Sequence, residues 1–358
     1  MLKKAAALFL VCGSIATWVG CGTTSSRYLY AAVPASNEIV AYREDPNSGV
    51  LTPLAVSPIL AGQGVESLAI HPSKNFLYAA NSGATPQGNI SLYTISSTGT
   101  LTEVTPRTNA GSVPTILAMD SGGSYLYVGN SGSQDIYVYS IDASTGALTQ
   151  VGSNYPIGMV PLNMQLSPSG NFLYVTGEGS TGFIEVFPVN QGQIGVPVAG
   201  SPFLTGDDPL GLAINSAGTF LYTADKLHNT ISEFTINSDG SLTQLQNSPV
   251  GQSFSAPVSL LIDKAGKYLY VANQGSTNLS AYTIASDGGL TLLSSSPFGT
   301  GSNPSFIATD SSGKFLFVGN QGSSAAVQSF ALNPNTGTLT SVQTYSVPGT
   351  TTSIAVTP

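Results

Sequence analysis

From about Arg27 to the C-terminus, short alternating runs of apolar and polar residues are broken every few positions by Gly, Asn, Asp or Ser. Residues 211–243 show the unit. An apolar run, Gly211 to Asn215, is followed by the turn Ser216-Ala217-Gly218 and a second run, FLYTAD (220–225). An alternating stretch, Ile231 to Ile236, then leads through Asn237-Ser238-Asp239-Gly240 into Leu242-Thr243. Period-two alternation with β-branched residues and Gly/Asn/Asp turns predicts four short antiparallel strands. No helical period appears after the first twenty or so residues.

This unit repeats. A Leu-aromatic pair recurs as Leu29-Tyr30, Leu77-Tyr78, Leu126-Tyr127, Leu173-Tyr174, Leu221-Tyr222, Leu269-Tyr270 and Leu316-Phe317, at intervals of 47 to 49 residues. A second aromatic column keeps step with it: Tyr42, Tyr93, Tyr139, Phe187, Phe234, Tyr282 and Phe330. Four strands in a unit of this length describe a propeller blade, which cannot bury both its faces alone and so stacks around a ring. The chain enters on a second strand (Arg27-Tyr28-Leu29-Tyr30) and leaves on a first strand, Ser353 to Thr357. The predicted fold is therefore all-β, a seven-bladed β-propeller over 27–358, closed by the C-terminal strand pairing into the first blade.

Composition refines the picture. Charged residues make up only 8% of the chain, but 41% hydrophobic residues and 40 glycines indicate many strands and tight turns rather than disorder. The net charge is −8, and losing Lys3 and Lys4 takes the mature chain to about −10. That balance excludes a nucleic-acid partner, which calls for a basic stripe. Both cysteines, Cys12 and Cys21, precede the repeats, so no disulfide or thiolate metal site is expected in the fold.

The first residues read as an export signal. Lys3-Lys4 form a positive start, Ala5 to Val11 a short apolar core, and Trp18-Val19-Gly20-Cys21 resembles the lipobox of bacterial lipoproteins. The apolar segment is too short to span a bilayer. We expect a lipoprotein-type signal peptide over 1–20, lipidation of Cys21, a short tether over 21–26, and a monomer anchored in the cell envelope, at the outer membrane or cell surface, by lipid alone.

Topology also places a site. The start of each inner strand and the end of each second strand belong on one face, where loops converge on the channel. Glu66, Thr115, Leu162, Leu210, Val258, Ser305 and Thr352 open the inner strands. Glu66 is the only carboxylate among them. Asn163 and Gln165 offer amides to a ligand or to solvent. Asp225 and Lys226 orient a ligand or pair in solvent, and His228 is an exposed histidine with no nucleophile or metal ligand beside it in sequence. The Asn-x-Gly loops read as turn chemistry, His71-Pro72 as a structural turn on the opposite face, and Asp142 to Gly146 as a hairpin too poor in carboxylates for calcium. No cofactor is expected.

With segments such as SGNFLYVTG (169–177), AGKYLYVANQGS (265–276) and SGKFLFVGNQGS (312–323), the chain resembles the lactonase propeller family, which includes 6-phosphogluconolactonases and shares the YVTN-type repeat. The resemblance implies the fold strongly and the reaction weakly. It also implies a pocket of His, Arg and Glu residues at the channel mouth. Carried across, the family's first His falls at Leu162, its Arg-His pair at Leu210-Gly211 and its Glu at Lys226. An Asp-x-His pair falls at Ser259 and Leu261, and a late Arg at Ser305.

Two functions with a ligand or substrate follow from these readings, beside a third reading as a purely structural surface repeat protein. One is an envelope scaffold that binds a small molecule or another envelope protein at the channel mouth. The other is a lactone hydrolase with a non-standard pocket drawn from Glu66, Asp225, Lys226 and His228. A deep polar pocket holding a perturbed carboxylate favours the enzyme, and a filled channel favours the scaffold.

Overall fold

The computed structural model describes residues 26–83, 86–178, 181–251, 254–322 and 326–358. Residues 1–25, on which the expected signal peptide and lipidation of Cys21 fall, lie outside them. Seven antiparallel sheets carry the described chain, and the one helical element among the described residues is a 3-10 turn at Pro34–Ser36. Blade two is typical, running from the channel outward as Val65–Ile70, Phe76–Asn81, Asn89–Ile95 and Leu101–Asn109. The other inner strands are Pro114–Met119, Val160–Leu166, Pro209–Ile214, Pro257–Ile262 and Pro304–Thr309 for blades three to seven, and Ser353–Val356 for blade one. Each inner strand touches the next around the full circle.

The C-terminal strand pairs with Arg27–Val33 in the register Leu29↔Val356, Tyr30↔Ala355, Ala31↔Ile354 and Ala32↔Ser353. Ring closure thus joins the two ends of the repeat region, as the sequence predicts, and leaves blade one no open inner edge.

The two repeating columns are cross-strand partners. Leu29 faces Tyr42, Leu77 faces Tyr93, and the same pairing holds in the other five blades. The seven leucines are fully buried. Cores form between blades rather than within them, giving seven clusters that each draw on two neighbouring blades.

A third column latches blade to blade. The residue ahead of each Leu-aromatic pair is itself aromatic, and it lies against the left-handed glycine of the next blade's outer hairpin: Tyr28 on Gly99, Phe76 on Gly146, and so on to Phe315 on Gly49. Where the aromatic of the pair is Tyr30, Tyr78, Tyr174, Tyr222 or Tyr270, it adds a hydrogen bond to the same hairpin, Tyr30 Oη donating to the Gly99 carbonyl at 2.7 Å and Tyr78 Oη to that of Gly146 at 2.7 Å. A side chain on that glycine would strike the ring, since a Cβ on Gly99 would lie 2.2 Å from Tyr28 Cδ1.

Candidate functional site in the central channel

One local device, repeated in five blades, builds the channel mouth. A residue in the left-handed region (Gly64, Val113, Asp208, Ala256 or Asn303) precedes the inner strand. Its carbonyl accepts the N–H of the first residue after the second strand: Ser82, Ser131, Lys226, Gln274 or Gln321. The first inner-strand residue then pairs with a buried Asn or Asp, as in Val65↔Asn81 and Pro209↔Asp225. Proline fits this opening position because it gives up a donor where the ladder begins.

Immediately afterwards the register shifts. Six inner strands carry a bulge there, leaving Glu66, Thr115, Leu162, Leu210, Val258 and Ser305 outside the ladder. A bulge re-aims the extra side chain, and here all six, with Thr352 of blade one, line a channel of about 600 Å³. These seven positions fall on two sides of the channel. Ser305, Thr352, Glu66 and Thr115 come from the consecutive blades seven, one, two and three, and Leu162, Leu210 and Val258 from blades four, five and six.

Much of the polar lining is committed to the ring. Ser353 Oγ accepts the Leu68 N–H, Ser67 Oγ that of Leu117, and Ser259 Oγ that of Ile307, each at 3.2 Å and each across a blade boundary. These hydroxyls satisfy inner-strand donors that no ladder reaches. Asn163 is spent similarly, its Nδ2 donating to the Leu210 carbonyl at 2.7 Å, whereas Gln165 lines the channel with no hydrogen-bond partner among the described residues.

The sequence-predicted residues divide. Glu66, Asn163, Gln165 and Lys226 share the channel. Glu66 is held there with its carboxyl raised above the usual range by burial, and the Ser82 hydroxyl, 3.5 Å from Oε1, only partly opposes that shift. Asp225 does not reach the channel. It is fully buried, accepting from Ser232 Oγ at 2.6 Å, Thr223 Oγ1 at 2.8 Å and Thr230 Oγ1 at 3.2 Å, and burial again raises its pKa. Neither alternative read for Asp225 with Lys226 holds, because the Asp225 carboxylate is sealed among three hydroxyls inside the blade; Lys226, the first residue after the strand, meets Asp208 instead, at 3.7 Å. His228 opens onto a separate recess of about 320 Å³ with Thr230 and Gln244, its Nδ1 accepting the Asp207 N–H at 3.0 Å. Glu66, Asp225 and His228 therefore share no cavity. His71 is buried in its turn, Nε2 donating to the Gly123 carbonyl at 2.9 Å.

Gln274 and Gln321 belong to the channel although their loops read as turn chemistry. Gln274 Nε2 donates to Gln321 Oε1 at 3.1 Å, and both line the cavity. The signal was their position, since each follows a second strand as Lys226 does. The Asn residues of the same loops are buried brackets as well as turn formers: Asn81 Nδ2 donates to Asn89 Oδ1 at 2.9 Å and to Ser91 Oγ at 3.0 Å.

Comparison with known proteins gives a consistent result. A periplasmic gluconolactonase from Pseudomonas aeruginosa superposes with a TM-score of 0.78 at 21% identity, covering 93% of this chain and 99% of its own. A Bacteroides fragilis protein provisionally assigned as a 6-phosphogluconolactonase reaches 0.80 at 20% identity, over 94% and 99% of the two chains. A protein from Lactobacillus plantarum reaches 0.77 at 22% identity, over 92% and 99%. At such identities these likenesses show the fold alone. No curated protein matches the sequence significantly. The model of the family described as Lactonase, 7-bladed beta-propeller matches residues 23–160, 158–300 and 262–356. Repeat, ring and family model together place the chain in the lactonase family of seven-bladed β-propellers.

Proposed function

We propose that this protein is an exported, lipid-anchored propeller that binds a small molecule in its channel and does not turn over phosphorylated sugar lactones. One observation carries the reading. The positions where the family resemblance calls for charged groups line the channel as Leu162, Leu210, Gly211, Lys226, Ser259 and Ser305. A phosphorylated lactone needs a cationic clamp for its phosphate and a general base for the attacking water. Lys226 is the one cation that lines the channel among the described residues and is already paired with Asp208, and the chain's negative charge repels anions. Purified mature protein should show no 6-phosphogluconolactone hydrolysis above the spontaneous rate. Turnover that disappears in Glu66→Gln would overturn the reading.

A second reading has its own support. The channel is open rather than filled, and burial raises the pKa of Glu66, the condition set above as favouring an enzyme. In a hydrolase of neutral lactones, Glu66 would take the proton of the attacking water. A screen of unphosphorylated lactones with wild type and Glu66→Gln separates the two readings. Export rests on the leader, and mass spectrometry of the membrane fraction tests it: cleavage before Cys21 with lipid on its sulfur is expected, and an unmodified Cys21 in a soluble protein would refute it.

A further inference from the structure

We infer that the channel selects an amphipathic cation, one that brings an ammonium group to Glu66 and lays an apolar body against Leu162, Leu210 and Val258. The inference rests on the binding reading above and adds the chemistry of the ligand.

The two sides of the lining carry the argument. Leu162, Leu210 and Val258 come from three consecutive blades and give that side of the channel an apolar face: Leu162 and Leu210 are half-buried, and Leu210 packs against the core cluster to which the buried Val258 belongs. Facing them across the ring is the polar arc, whose hydroxyls are largely committed. Ser305 Oγ donates to the Thr351 carbonyl at 2.8 Å, and Thr352 Oγ1 to the Glu66 carbonyl at 2.8 Å. Of the ionisable groups in the lining, the Glu66 carboxylate has bonding capacity to spare, as does the uncharged Gln165 amide on blade four. The carboxylate makes no ion pair among the described residues, and its hydrogen bond from Ser82 is long, at 3.5 Å. Lys226, the other ionisable group of the lining, lies three blades away and has Asp208 as its partner.

A half-buried carboxylate without a counter-ion selects by charge. A cation relieves the desolvation that opposes its ionised form, a neutral ligand leaves that cost in place, and an anion adds repulsion. An apolar wall in the same cavity selects by shape, because each methylene moved out of water tightens binding by roughly 4-fold. A channel of about 600 Å³ has room for both ends of such a molecule at once.

Hexylammonium, hexanol, hexanoate and methylammonium are the probes, titrated calorimetrically into the mature chain at near-neutral pH. Hexylammonium should bind about 10-fold more tightly than hexanol, with hexanoate weakest and methylammonium well below hexylammonium. Glu66→Gln should bring hexylammonium down to the level of hexanol, while Leu210→Ser should weaken hexylammonium and hexanol together. Unchanged melting temperatures would confirm that both variants are folded. Equal or tighter binding of hexanoate, an ammonium preference that survives Glu66→Gln, or no binding of hexylammonium at millimolar concentration each overturns the inference. Lactone turnover alongside an intact ammonium preference would sink the binding-only reading and leave this one standing.

Discussion

Ring closure depends on a four-residue strand, and Ile354 is its apolar anchor. The side chain is 4% exposed and sits in the cluster joining blades seven and one, with Leu29, Phe317 and Val327 fully buried around it. Ile354→Ala removes three carbons, about 2.4 kcal/mol of transfer free energy at ~0.8 kcal/mol each. Neighbours drawn from two blades cannot collapse into the space, so a cavity term brings the expected loss to about 3–4 kcal/mol. Urea unfolding followed by circular dichroism is the assay, because the single tryptophan of the sequence, Trp18, precedes the repeats. With a slope of about 3 kcal/mol/M, the midpoint should fall by roughly 1 M. Removing residues 349–358 should go further and reduce soluble yield, since it bares the Arg27–Val33 edge and strips the Tyr28 N–H of Thr357 Oγ1 at 2.9 Å. A midpoint shift below about 0.2 M for Ile354→Ala, or an unchanged transition for the truncation, would show that the ring is held some other way.

Other outcomes follow from the same geometry. Burial raises the carboxyls of Glu44 and Glu233 to about 7, with Asp310 adding to the shift at Glu44 and Arg27 opposing it. The folded state therefore holds protons that the unfolded chain releases above its ordinary carboxyl range. Their contribution is complete below about pH 4.5 and is lost as pH rises towards 7. Denaturation midpoints should decline across that window, and Glu44→Gln should flatten part of the decline; a wild-type midpoint that rises from pH 5 to pH 7.5 would refute this. Gly99→Ala should cost about 3 kcal/mol, because the position has φ +79° and the new Cβ meets the Tyr28 ring, and a melting curve within error of wild type would contradict the latch. Val113 is a β-branched residue held at φ 54° with an exposed side chain, so Val113→Asn should stabilise by about 1 kcal/mol in the same assay, and a loss of stability would show that its methyls matter.

Sequence alone determined the architecture, and the reason lies in the blade interfaces. Every blade meets its neighbours through the same contacts, so the same residue types must return at the same spacing: Leu29 opposite Tyr42, Leu77 opposite Tyr93, and onward. The channel-opening residues were legible too, because strand order fixes which positions face the axis. Only the tertiary structure decided which side chains meet there. Asp225 and Lys226 are neighbours in sequence, yet one is sealed inside the blade and the other reaches the channel. Whether His228 joins Glu66 depends on loop paths from blades three apart, which no local pattern records. The buried group of Arg27, Glu44 and Asp310 was equally invisible, Arg27 and Asp310 lying 283 residues apart and meeting at 2.6 Å only because the ring closes. Repetition writes blade packing into the sequence many times over, whereas each contact at the channel or the seam occurs once and is fixed by closure.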